Sequence, residues 1–262
     1  MKKLLLFFAI AAGNFCSAQK TVRVLFIGNS YTYVNNLPQL IADLALSKGD
    51  RLIFDQHTPG GYTLKKHSAD VITLKKIAAG IWDFVILQCQ SQEASIDSAQ
   101  VATNVLPYAH KLDSLIHAAD PCVETVFYMT WGRKNGDPSA CSTYSPVCTY
   151  AGMQERLCKS YLLMGQLNNA TVAPVGSIWR EIKNSNPAYD LYESDGSHPS
   201  IWGSYIAACT FYEILFQKTS LGATYYSTIP KEDAQFIQQT TALFVGTILK
   251  NAWWSWLKPI QY

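Results

Sequence analysis

Two short stretches far apart in the chain hold residue types capable of nucleophilic chemistry: Gly28-Asn29-Ser30-Tyr31-Thr32 and Ser194-Asp195-Gly196-Ser197-His198-Pro199. A serine hydroxyl is a poor nucleophile until a base takes its proton. An Asp three residues before a His can fold back within one turn, so that its carboxylate accepts the imidazole Nδ1–H and Nε2 faces outward as that base. Ser30, His198 and Asp195 are therefore the candidate nucleophile, base and orienting acid. Each piece alone has a plainer explanation. Gly-Asn-Ser suits an ordinary strand-to-helix turn, and Asp195 can be a helix cap beside an incidental His. The elbow of α/β-hydrolases carries a Gly two residues after the Ser, and here that position is Thr32. The remaining histidines, His57, His67, His110 and His117, show no ligand spacing with one another or with the cysteines, so metal catalysis has no support and no cofactor is called for.

The elements that would position these residues are legible from apolar patterning. Short β-rich runs at 22–27, 52–56, 84–88, 123–129 and 171–175 read as five buried parallel strands. Helical spacing appears from Leu37 to Leu44, and further helices are expected near 67–79, 98–118, 150–167, 199–217 and 232–251. Strand and helix alternate, which predicts a three-layer α/β/α sandwich with its site outside the carboxyl ends of the strands. Ser30 falls just past the first strand, at the start of a helix whose unpaired N–H groups can stabilise a developing oxyanion.

Residues 1–18 read as a secretory signal: Lys2 and Lys3, the apolar run Leu4–Ala12, then Cys16-Ser17-Ala18 as a small-residue cleavage site. The apolar run is about half of the roughly 20 residues a membrane span needs, so stable membrane insertion is not expected. Lipidation of Cys16 is the competing reading, and Phe15 stands where such sites usually carry a small residue. Cleavage would leave residues 19–262 as a single domain, exported to the periplasm or the exterior. The whole chain has 21 basic and 19 acidic residues, and the leader takes two lysines with it, so the remainder is near neutral and has no electrostatic pull toward nucleic acid. Six of the seven cysteines remain, an even number for an oxidising compartment. Cys141 and Cys148 are the expected disulfide, because they flank a turn-rich, Pro-containing stretch with little core of its own. Trp253, Trp254 and Trp256 are read as capping the core beside a terminal helix.

The ordered blocks Gly28–Thr32, Gly60-Gly61, Leu87–Gln92, Met129–Arg133, Gly152–Gln154, Ala173–Gly176 and Asp195–Pro199 resemble the SGNH/GDSL hydrolases, closest to a branch long described as a domain of unknown function. The resemblance spans about residues 22–216. It implies a flavodoxin-like sandwich and a Ser30–His198–Asp195 triad acting on esters. It also implies an oxyanion hole made by the Ser30 and Gly61 N–H groups, Gly61 being preferred to Gly60. The family's third donor is an Asn, but this chain has Gln90-Ser91-Gln92-Glu93 there. Alignment through Asp83 prefers Gln92 to Gln90 for that role, and either amide can present the same N–H₂. Trp131 and Arg133, after the fourth strand, are expected to line the pocket, with Arg133 suited to an acidic group on the substrate. The implied partner is a small-molecule or glycan ester, with loss of acetyl or another small acyl group from carbohydrate as the leading reaction. A glycan-binding pseudoenzyme and a lipid or short-chain esterase are the alternatives.

Overall fold

A computed structural model of the chain describes residues 19–250. Residues 1–18, expected to be a leader, and the tryptophans at 253, 254 and 256 lie outside the described residues. Strands β1 (Thr21–Ile27), β2 (Arg51–His57), β3 (Phe84–Leu87), β4 (Glu124–Tyr128) and β5 (Thr171–Ala173) form one sheet in the order β2-β1-β3-β4-β5. Every neighbouring pair is parallel. Helices α1 (Ser30–Tyr33) and α2 (Leu37–Ser47) link β1 to β2, and α3 (Leu64–His67) and α4 (Val71–Ala78) link β2 to β3. Next come α5 (Ser91–Ser95), α6 (Ser98–Asn104) and α7 (Leu106–Ala119) before β4, then α8 (Pro138–Cys141) and α9 (Tyr150–Asn168) before β5. Helices α10 (Val175–Ser185), α11 (Ile201–Phe216) and α12 (Lys231–Lys250) follow.

Strand alternation makes two cores. Val22, Val24 and Phe26 of β1, with Val126 and Tyr128 of β4, pack with residues of α2, α10, α11 and α12 on one face. Leu25 and Ile27, with Phe127, pack with residues of α4, α7 and α9 on the other. The result is the expected three-layer α/β/α sandwich with a five-stranded parallel sheet. Its chain reversal falls between β1 and β3, and in such sheets the crevice at the strands' carboxyl ends at that point is the usual ligand site.

Several boundaries differ from the sequence reading for local reasons. The helix expected at 67–79 is two helices, because Asp70 caps a new start by accepting the Thr73 N–H (2.8 Å). The helix expected at 98–118 breaks at Val105, two residues before Pro107, which sits in the first turn of α7. Helix α10 starts at the last residue of the strand expected over 171–175 and runs on through 176–185, where no element was expected.

Candidate active site at the carboxyl edge of the sheet

Gly28 follows β1 beside the side chain of Gln88, and a Cβ at this position would lie 2.6 Å from Gln88 Oε1 and 2.6 Å from Thr32 Oγ1. That close approach lets buried Gln88 accept from the Asn29 N–H (2.8 Å) and from the Thr32 hydroxyl (3.0 Å). Asn29 in turn caps α1, its Oδ1 accepting from the Tyr31 N–H (3.1 Å) while its Nδ2 donates to the Tyr62 carbonyl (3.0 Å). From behind, His67 Nε2 lies 2.8 Å from the Gly28 carbonyl and His67 Nδ1 lies 2.8 Å from Thr73 Oγ1. A carbonyl only accepts, so Nε2 carries the proton and Nδ1 accepts from the Thr73 hydroxyl. Burial, the largest influence, pushes the His67 pKa down to about 4, so the ring is neutral near pH 7.

Ser30, placed by this frame, is met by the loop that precedes α11. His198 Nε2 lies 2.9 Å from Ser30 Oγ, and His198 Nδ1 pairs with Asp195 Oδ2. The other Asp195 oxygen accepts the Ser197 and His198 N–H groups, each at 2.9 Å. Burial tends to raise the Asp195 pKa, but the His198 bond and the two backbone donors together outweigh it and hold the carboxyl below its ordinary value. An ionised Asp195 fixes the tautomer with the proton on Nδ1, which leaves Nε2 as an acceptor for the Ser30 hydroxyl proton.

The Asp195–His198 loop is clamped at its base by a bridge between Tyr192 and Pro199. Lys134 N–H donates to the Gly196 carbonyl (2.8 Å), Trp131 Nε1 donates to the Ser197 carbonyl (3.1 Å), and Tyr31 Oη lies 2.6 Å from Ser197 Oγ. Behind it Tyr31, Trp131 and Trp179 form a stack, with ring centroids 4.9 Å and 4.1 Å apart. Trp131 was expected to line the pocket and does not. Its indole is fully buried between Tyr31 and Trp179, where it gains apolar contact on both faces and a partner for its N–H.

Ser30, His198, Gly61, Gln90 and Arg133 line one cleft of about 250 Å³. Gly61 sits at φ +67°, the left-handed region that favours glycine, in the turn closed by Tyr62 N–H to the Pro59 carbonyl (3.2 Å). Neither the Ser30 nor the Gly61 N–H has another acceptor among the described residues. The preference for Gln92 over Gln90 reverses. Gln92 Nε2 is turned away to Asp137 Oδ2 (2.9 Å) and Ser139 Oγ (3.2 Å), because the buried Asp137 carboxylate requires donors. Gln90 caps α5 through its Oε1, which accepts the Gln92 and Glu93 N–H groups and so fixes which end of the amide is nitrogen. One Nε2 hydrogen of Gln90 goes to Gln92 Oε1 (2.9 Å), and the second has no acceptor among the described residues, on a side chain that lines the cleft.

Sequence reasoning missed Gln88, His67 and Thr73, none of which touches the cleft. Their signal was weak: a Gln inside an apolar run, and a His and a Thr on successive short helices. Cys141 and Cys148 are joined by a disulfide that closes the loop after α8. Among the described residues, no helix is long and apolar enough to cross a membrane. Among them also, no group of three or more His, Cys, Asp or Glu is placed to hold a metal ion.

A parallel 2-1-3-4-5 sheet with a Ser–His–Asp relay on its carboxyl edge defines a class of α/β/α proteins, and solved structures share that fold. The chain superposes on a DUF4886 family protein from Bacteroides uniformis with a TM-score of 0.73 at 18% identity, covering 88% of this chain and 96% of that one. A putative GDSL-like lipase from Parabacteroides merdae matches with a TM-score of 0.51 at 16% identity, over 76% of this chain and 98% of that one. An acetyl xylan esterase matches with a TM-score of 0.50 at 13% identity, over 74% of this chain and 100% of that one. No family model matches the chain, and no curated protein matches it significantly by sequence.

Proposed function

We propose that the chain is an exported ester hydrolase of the SGNH type, which removes acetyl or another small acyl group from carbohydrate through an acyl-enzyme on Ser30. The observation that carries this reading is the contact of His198 Nε2 with Ser30 Oγ at 2.9 Å while Nδ1 is held by Asp195. His198 takes the hydroxyl proton as Ser30 Oγ attacks the ester carbonyl carbon. The tetrahedral oxyanion then faces the Ser30 and Gly61 N–H groups and the free Nε2 hydrogen of Gln90. His198 returns the proton to the departing alcohol oxygen, which leaves the acyl group on Ser30. A water, deprotonated by the same Nε2, hydrolyses that ester to the free acid and restores the serine. Asp195 stays ionised throughout.

A small acyl group is supported by the size of the cleft. Its volume of about 250 Å³ lies below the roughly 300–1,000 Å³ of pockets that enclose a drug-sized ligand. Carbohydrate is supported by the fold shared with a protein described as an acetyl xylan esterase, and export by the leader-like residues 1–18. The test is release of para-nitrophenol from para-nitrophenyl acetate, followed by release of acetate from acetylated polysaccharides, by the purified protein and by Ser30→Ala. Turnover lost in the variant supports the reading. Equal turnover in the two proteins rules Ser30 out as nucleophile.

A further inference from the structure

Among the described residues that line the cleft, the one permanently charged side chain is Arg133, beside Ser30, Gly61, Gln90 and His198. Its backbone is fixed: the Gly132 N–H donates to Gln154 Oε1 (2.9 Å) and the Arg133 N–H to Met153 Sδ (3.3 Å). The guanidinium itself makes no hydrogen bond among the described residues, and its buried Nε–H has no partner there. The bland role for such an arginine is to neutralise a buried carboxylate, and Asp137 is near. Nη1 does form an ion pair with Asp137 Oδ1, but at 3.7 Å, beyond hydrogen-bond reach. The Asp137 oxygens are already taken by the Ser139 N–H (3.1 Å), the Ser139 hydroxyl (2.6 Å) and Gln92 Nε2 (2.9 Å). A guanidinium with five donors in a rigid fork thus stands in the wall of the cleft with no hydrogen bond to another described residue. Among the described residues no carboxylate lines the cleft itself, so Asp137 offsets the charge from outside it without occupying the donors. A planar fork in a partly desolvated wall matches a carboxylate in a bidentate pair.

We propose that the cleft selects esters carrying a carboxylate close to the scissile bond, with Arg133 as the residue that sets this specificity. The proposal rests on Ser30 as the nucleophile and adds a carboxylate to the substrate, so that among acylated carbohydrates the acidic sugars are favoured. Arg133 does not take part in bond making. It orients the substrate and lowers KM for anionic esters relative to neutral ones.

Two matched ester pairs test this with the full chain: para-nitrophenyl hydrogen succinate against para-nitrophenyl acetate, and para-acetoxybenzoate against its methyl ester. The first places the carboxylate on the acyl side and the second on the alcohol side. The wild-type protein is expected to favour the anionic member of at least one pair in kcat/KM. Arg133→Gln should cut that ratio by about tenfold or more, Arg133→Lys should recover part of it, and added salt should lower it in the wild type. A wild-type ratio near one in both pairs overturns the proposal, as does a ratio unchanged in folded Arg133→Gln. If that variant does not fold, the wild-type ratios and their salt dependence decide. Calorimetric binding of benzoate against methyl benzoate needs no turnover. Arg133-dependent preference for benzoate in a protein inert toward all four esters would uphold the anion subsite while the hydrolase reading fails.

Discussion

Acidification should remove about 3 kcal/mol of folding stability through His67 alone. In the folded protein its pKa is about 4, because the ring is buried between the Gly28 carbonyl and Thr73. In the unfolded chain it returns to about 6.5. Above that value both states are neutral at this ring and the native contacts are retained in full. As pH falls below about 6.5 the unfolded chain takes up a proton that the native state refuses, so stability drops until about pH 4, below which both states are protonated. The gap of about 2.5 in pKa, at about 1.4 kcal/mol per pH unit, sets a limit of about 3.5 kcal/mol, of which about 2 kcal/mol is lost by pH 5 and about 3 kcal/mol by pH 4. Urea unfolding of the wild-type protein and of His67→Gln from neutral pH to about pH 4 isolates the effect, because titrating groups that do not interact with His67 cancel in the difference. The glutamine amide can still donate to the Gly28 carbonyl but does not titrate. The wild type should therefore lose about 3 kcal/mol of its advantage over the variant across that range. A difference that stays constant with pH would mean that His67 is not held neutral, and the account of the frame behind Ser30 would fail with it.

Gln90→Ala is expected to lower kcat by roughly 10²- to 10³-fold, as for loss of one oxyanion donor, while Gln92→Ala loses less than about tenfold; steady-state rates on one ester compare them. Trp131→Ala should destabilise the fold by about 3–5 kcal/mol in thermal or denaturant unfolding, since it empties the middle of the stack that supports the Ser197 loop. Replacing Cys141 and Cys148 with Ser should cost about 2–3 kcal/mol by denaturant unfolding, the entropy of opening so short a loop.

The fold was legible because two-sided burial writes long apolar runs: β1, buried on both faces over Val24–Ile27, reads directly as a strand. Helix α10 was hidden for the opposite reason. Its apolar residues Val175, Ile178, Trp179 and Ile182 follow helical spacing, but the run starts against β5 and the intervening residues are polar. At the site, the Asp195–His198 spacing could be read from the chain, since a three-residue return is a local geometry. What could not be read was which of Gln88, Gln90 and Gln92 does what. Their roles are set by distant partners, the nucleophile loop for Gln88 and Asp137 for Gln92. Trp131 was misplaced for a related reason, because an aromatic after a strand end can face the cleft or the layer beneath, and only Trp179, from a helix not foreseen, settles which.

The relay of Ser30, His198 and Asp195 is tested most directly by covalent trapping. An activated serine oxygen, its proton taken by the base, attacks the phosphorus of a fluorophosphonate and expels fluoride, and peptide mass spectrometry locates the phosphonyl ester left on it. One adduct per chain on the peptide that contains Ser30 is expected, much slower in His198→Ala and absent in Ser30→Ala. An adduct on a different serine, or labelling of Ser30 at an undiminished rate without His198, would contradict the account.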